Sequence, residues 1–165
     1  MIKKLPCGSF FMCIRQPFGH YLHLYLKAIV TESHFSLTDA EFERLFETGS
    51  FAPALFTHEA HIRLAWIHIK NYGLDKACYN IVNQLHDYVK ALGVENKFNL
   101  TLTIASLKII NDFMGKSNAA SFTEFICEFP QLITHFRELL AQHYSNEIFN
   151  DDAMQNYMAP DIMTF

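Results

Sequence analysis

Thr57-His58-Glu59-Ala60-His61-Ile62-Arg63-Leu64-Ala65-Trp66-Ile67-His68-Ile69-Lys70-Asn71-Tyr72-Gly73 reads as one complete helix. The hydroxyl of Thr57 can cap it, Ile62, Ala65, Trp66 and Ile69 recur at helical spacing, and Gly73 can leave it in a left-handed conformation. The same punctuation extends in both directions. Upstream, Thr38 with Glu41 three residues on forms a capping-box pair that opens a helix to about residue 48, with Phe42, Leu45 and Phe46 on one face and Gly49 after it. Downstream, 75–92 carries Ala77, Ile81, Leu85, Tyr88 and Leu92 in register before Gly93. Residues 98–114 carry Leu100, Ile104, Leu107, Ile110 and Met114 before Gly115. A shorter helical piece over 121–129 precedes Pro130, which can open a helix through Ile133, Phe136, Leu140 and His143. Asn150-Asp151-Asp152 then caps a last short helix to about 157, followed by a tail through Ala159-Pro160-Asp161. No stretch alternates as a strand would. The expected architecture is all-α: a single-domain helical bundle with short loops over 37–165 and an extended C-terminal tail. Residues 1–36, broken by Pro6, Gly8, Pro17 and Gly19, read as an N-terminal extension, helical at most over about 20–31.

Half of the 165 residues are apolar and 18% are charged, which suits a packed core rather than disorder. A net charge of -4 argues against a broad electrostatic grip on nucleic acid or on an anionic membrane. Cys7, Cys13, Cys78 and Cys127 are too scattered for a C-x-x-C pair, and reduced thiols are expected, with Cys78 and Cys127 as small buried hydrophobes. Arg15 interrupts the apolar run that begins at Phe10 before it reaches the length of a secretory signal, and 21–30 is too short to span a bilayer, so the cytoplasm is the expected compartment. Without export, the sequon Asn99-Leu100-Thr101 is a coincidence.

The first helix also carries the chemistry. At about 100° per residue, His58, His61 and His68 fall within roughly 80° of one another, on a stripe bordering the apolar face of Ile62, Trp66 and Ile69. His58 and His61, one turn apart, can direct ring nitrogens at one divalent transition metal or at a small molecule, given a further ligand from a facing helix. They can equally serve as satisfied polar residues, and His68 is the most structural of the three. Glu59 points about 100° away from His58, and the spacing is H-E-x-H rather than the H-E-x-x-H of zinc proteases. Arg63 reads as an inter-helix salt bridge or as an anion clamp at the pocket edge. Trp66 and the phenylalanines at 122, 125, 129 and 136 read as packing.

The segment from Phe56 to Trp66 resembles the F-x-H-x-x-H-x-R-x-A-W segment of a family of small bacterial helical proteins of uncharacterised function. Lys97-Phe98-Asn99-Leu100-Thr101-Leu102-Thr103 is similar to that family's K-Y-H-x-T-x-T segment, and His143-Tyr144-Ser145 through Ile148-Phe149 to Ala159-Pro160-Asp161-Ile162 to its closing H-Y-S…F…P-D-L. The resemblance spans 37–165. It implies a site made of His58, His61 and Arg63 from one helix and Asn99, Thr101 and Thr103 from the start of another. Asn99 stands where the family has a third histidine, which weakens metal binding and favours a hydrogen-bonding pocket. Thr101 and Thr103 lie on different sides of a regular helix, so only one of them can face such a pocket unless the segment is irregular.

Two functions compete on these grounds. One is a helical domain whose His/Asn/Thr pocket binds a small molecule or a divalent metal, enzymatic or not, with His58 and His61 as ligands or as general base and polariser. The other is a non-catalytic interaction or structural module, in which Tyr144, Phe149, Tyr157, Met158, Met163 and Phe165 dock a partner or a second copy of the chain. Packing of that tail across its own bundle is the simpler alternative. No Gly-rich phosphate loop and no G-x-S-x-G is present, and neither nucleic acid nor a membrane is an expected partner.

Overall fold

The structure, a computed structural model, describes residues 33–165 and is all-helical over them. The sequence-drawn extension, with its candidate helix over 20–31 and with Cys7 and Cys13, falls outside the described residues except for 33–36. The described part of that segment belongs to the packed body: His34 opens a short 3-10 turn and is 3% exposed, its ring against Phe42 and Phe122.

Among the described residues eight α-helices follow in order: α1 Asp39–Glu47, α2 His58–Tyr72, α3 Leu74–Ala91, α4 Leu100–Gly115, α5 Phe122–Glu128, α6 Gln131–Thr134, α7 Phe136–Leu140 and α8 Asp151–Gln155. The start of α1 is fixed by the capping box, in which the Thr38 hydroxyl accepts from the Glu41 N–H while the Glu41 carboxylate accepts from the Thr38 N–H at 2.9 Å. Thr57 caps α2 through the Ala60 N–H. Gly73 both ends α2 and precedes α3 at φ 75 and ψ 167, a region that is open essentially to glycine alone.

The organising element is α2. One apolar face is expected from its sequence, yet every residue from Ile62 to Ile69 is buried. A helix enclosed on all sides sits at the centre, and here α1, α3 and α4 pack around it. By contrast α3 is one-sided, burying Ala77, Ile81 and Tyr88 and leaving Tyr79 exposed. Each fully buried Leu, Ile or Phe of this core contributes about 1.5–3 kcal/mol from its removal from water. Phe122 and Phe125 are buried with the core, and Phe129 packs against it. Cys78 is a half-buried free thiol, whereas Cys127 stands exposed on α5 and is disulfide-bonded, not the buried and reduced thiol expected.

The single helix expected after Pro130 is instead two, α6 and α7, broken at His135 with φ -136. The tail folds back onto its own bundle. Tyr144 is 2% exposed and donates to the Met158 carbonyl, Ile162 N–H donates to the His143 carbonyl, and the Asp161 carboxylate accepts from both the Ser145 N–H and its hydroxyl. Phe165 stacks on the His143 ring at 4.1 Å. No helix among the described residues is long and apolar enough to cross a membrane.

Candidate functional site

A cavity of about 580 Å³ lies between α2, α3 and α4. Its walls are mainly apolar: Ile62, Leu64 and Ala65 from α2, Ile81, Leu85 and Val89 from α3, Leu102, Leu107 and Ile110 from α4, with Leu92, Val94 and Phe98 from the connection between α3 and α4. Pro53, Phe56 and Phe136 complete it. The polar side chains that line it are few: His58, His61, Tyr88, Lys97, Asn99, Thr103 and Ser106.

Both imidazoles are oriented by backbone carbonyls. His58 Nε2 lies 3.0 Å from the Leu132 carbonyl of α6, and its ring meets Phe136 edge-on at 5.2 Å. His61 Nδ1 lies 2.7 Å from the Thr57 carbonyl, and its ring stacks on Phe56 at 3.7 Å. A carbonyl only accepts, so each of those nitrogens carries the proton. In the neutral rings His58 Nδ1 and His61 Nε2 are therefore lone-pair acceptors. His61 is exposed at its surface, yet it lines the cavity and protein atoms crowd its ring. Burial there, helped by the nearby His58, holds its pKa below the ordinary histidine value despite the hydrogen bond to Thr57, which acts the other way.

Asn99 is 8% exposed and has a structural duty that its sequence position gives no hint of when it is read as a replaced histidine. Its Oδ1 caps α4 by accepting from the Leu102 N–H at 2.8 Å, and its Nδ2 donates to the Ile148 carbonyl at 2.8 Å. Asn before an apolar helical run is itself the cap signal that would have found this. Thr103 donates to the Asn99 carbonyl at 2.8 Å and lines the cavity.

Thr101 points elsewhere, as two residues of separation on a regular helix require: it is fully buried, donating to the Asn156 carbonyl and accepting from the Met158 N–H. Arg63 also lies outside the cavity. It is 5% exposed, and its guanidinium donates to Asp39, to the Leu37 carbonyl and to the His34 carbonyl. His68 is buried outside the cavity too, its Nε2 3.7 Å from Glu43 Oε1 on α1. Of the six residues that the sequence groups into a site, four thus share one cavity: His58, His61, Asn99 and Thr103.

Ser106, Lys97, Tyr88 and Phe136 line the same space and were not singled out as site residues. Ser106 stands one helical turn beyond Thr103, and that i, i+3 spacing is the available clue. As for a metal, among the described residues the cavity lining has no carboxylate and no thiolate beside the two imidazoles, and no group of three His, Cys, Asp or Glu side chains is placed to hold an ion. Comparison with family models, with curated proteins and with solved structures found no match to this chain.

Proposed function

We propose that this protein is a small-molecule-binding helical domain. Its cavity between α2, α3 and α4 takes a compact organic molecule with an apolar body, and His58 and His61 meet that molecule's polar group. One observation carries this reading: two imidazoles with tautomers set by backbone carbonyls, each with one ring nitrogen left without a partner among the described residues, line a space that is otherwise largely apolar. A carbonyl bond alone is also what a structural histidine makes; what favours binding is that both rings line one cavity as well. Among the described residues its walls offer two imidazole nitrogens and no carboxylate, a donor set short of what a four-coordinate divalent metal needs, so the proposed occupant is organic.

The test is a fragment screen by protein-observed NMR on the wild-type chain and on Ser106→Phe, which places a ring in the cavity. Fragments that shift amides of α2 and α4 in the wild type and not in Ser106→Phe support the reading. Fragments that shift only the tail or the α5–α7 surface would overturn it.

A further inference from the structure

We infer that this pocket selects a hydroxyl-bearing apolar molecule, recognising it as a hydrogen-bond donor, and discriminates against carboxylates. The inference rests on the binding role proposed above and follows from where each polar hydrogen of the cavity lining goes. The proton on His58 is spent on the Leu132 carbonyl and that on His61 on the Thr57 carbonyl. The hydroxyl hydrogens of Thr103 and Ser106 go back along α4 to the carbonyls of Asn99 and Leu102, at 2.8 and 2.7 Å. Tyr88 donates to the Phe51 carbonyl at 2.9 Å.

What these groups have left to offer a guest is lone pairs: two imidazole nitrogens and the hydroxyl oxygens. The side-chain donors that remain are the second amide hydrogen of Asn99 and the ammonium of Lys97, which stands exposed on the turn between α3 and α4. A carboxylate brings only acceptors, so it would confront these lone pairs after giving up its own water, whereas a hydroxyl hydrogen finds His61 Nε2 or His58 Nδ1 waiting. The Lys97 ammonium is exposed to water, which screens its pull on a carboxylate as it does its push on a cationic amine, and either ion must give up its hydration to enter, which favours the neutral donor.

Three matched probes test this by isothermal titration calorimetry near neutral pH: 4-propylphenol, propylbenzene and 4-propylbenzoate. The expected order is phenol tightest, by about tenfold or more over each of the others. His61→Phe keeps a ring to stack on Phe56 and removes one of the two imidazole lone pairs, so the preference for phenol over propylbenzene should narrow several-fold, and an undiminished preference in both His61→Phe and His58→Phe would overturn the inference. Should those variants not fold, the wild-type imidazole ¹⁵N spectrum serves instead: an Nδ1–H tautomer at His61 and an Nε2 shift with phenol but not with propylbenzene are expected. Phenol and propylbenzene binding equally, or benzoate binding most tightly, would overturn the selectivity while leaving the binding role in place. No binding by any of the three, with pocket resonances unmoved, would remove the binding role and this inference together.

Discussion

Arg63 of α2 grips Asp39 of α1 through a single oxygen: Asp39 Oδ1 lies 2.7 Å from Nη2 and 3.1 Å from Nε. The guanidinium also takes the carbonyls of His34 and Leu37 and lies 5.1 Å from the centre of the Phe42 ring. One buried cation thereby fastens the strand of chain before α1, the first turn of α1 and the middle of α2. Arg63→Met should keep the volume and lose every one of those bonds. Because two carbonyls and a carboxylate lose their donor together, a loss of stability on the order of 3 kcal/mol is expected. Urea denaturation measures it, and fragment binding to the folded variant should be unchanged, since Arg63 stands outside the cavity.

This placement shows which parts of the molecule the sequence makes legible. Caps and stops are local chemistry, so Thr38 with Glu41, Thr57 and Gly73 announce α1 and α2 correctly. The pairing of His58 and His61 on one cavity is equally local, one turn of one helix. The direction in which Arg63 points depends instead on Asp39 and on the chain around His34, which are brought together only by packing. The double duty of Asn99 needs Ile148, 49 residues away, and the break at His135 needs the geometry of the helices it joins. Long-range partners decide between a ligand and a brace, and periodicity carries no information about them.

Asn99→Ala should cost about 2–3 kcal/mol, combining a lost helix cap with an unpaired carbonyl at Ile148. Asn99→Ser can still cap Leu102 but cannot span to Ile148, so it should recover about 1 kcal/mol of that loss. Paired thermal and chemical denaturation of the two variants checks the ordering. Equal stability of Ala and Ser would mean that the cap contributes nothing.

Thr101 joins the bundle to its tail with one hydroxyl, which donates to the Asn156 carbonyl at 2.8 Å and accepts from the Met158 N–H at 3.0 Å. Thr101→Val keeps the shape and removes both bonds, so a cost of about 1–3 kcal/mol is expected. The effect should be regional: amide exchange at Met158 and Ile162 should quicken well before that of α2. Uniform acceleration through α2 and α3 would show instead that the tail and the bundle open as one unit.

Three histidines give stability a common dependence on pH. Burial is the largest influence on His34, His61 and His68 and lowers each of them from 6.5, overcoming Glu59 at His34 and Glu43 and Glu47 at His68. Among the described residues no group lies within hydrogen-bond distance of the His34 and His68 ring nitrogens, with Glu59 and Glu43 standing 3.6 and 3.7 Å from their Nε2 atoms, which suits a neutral buried ring and penalises a charged one. With folded values below the unfolded value, the unfolded chain binds more protons between the two. Stability is therefore full above about pH 6.5 and falls as acid is added through that value toward the folded ones. Urea midpoints measured at about pH 7.5, 6.5 and 5.5 should decline in that order. In His68→Leu the decline should be shallower, because one of the three groups no longer takes up a proton on unfolding; a steeper decline in that variant would mean that Glu43 and Glu47 outweigh burial at His68.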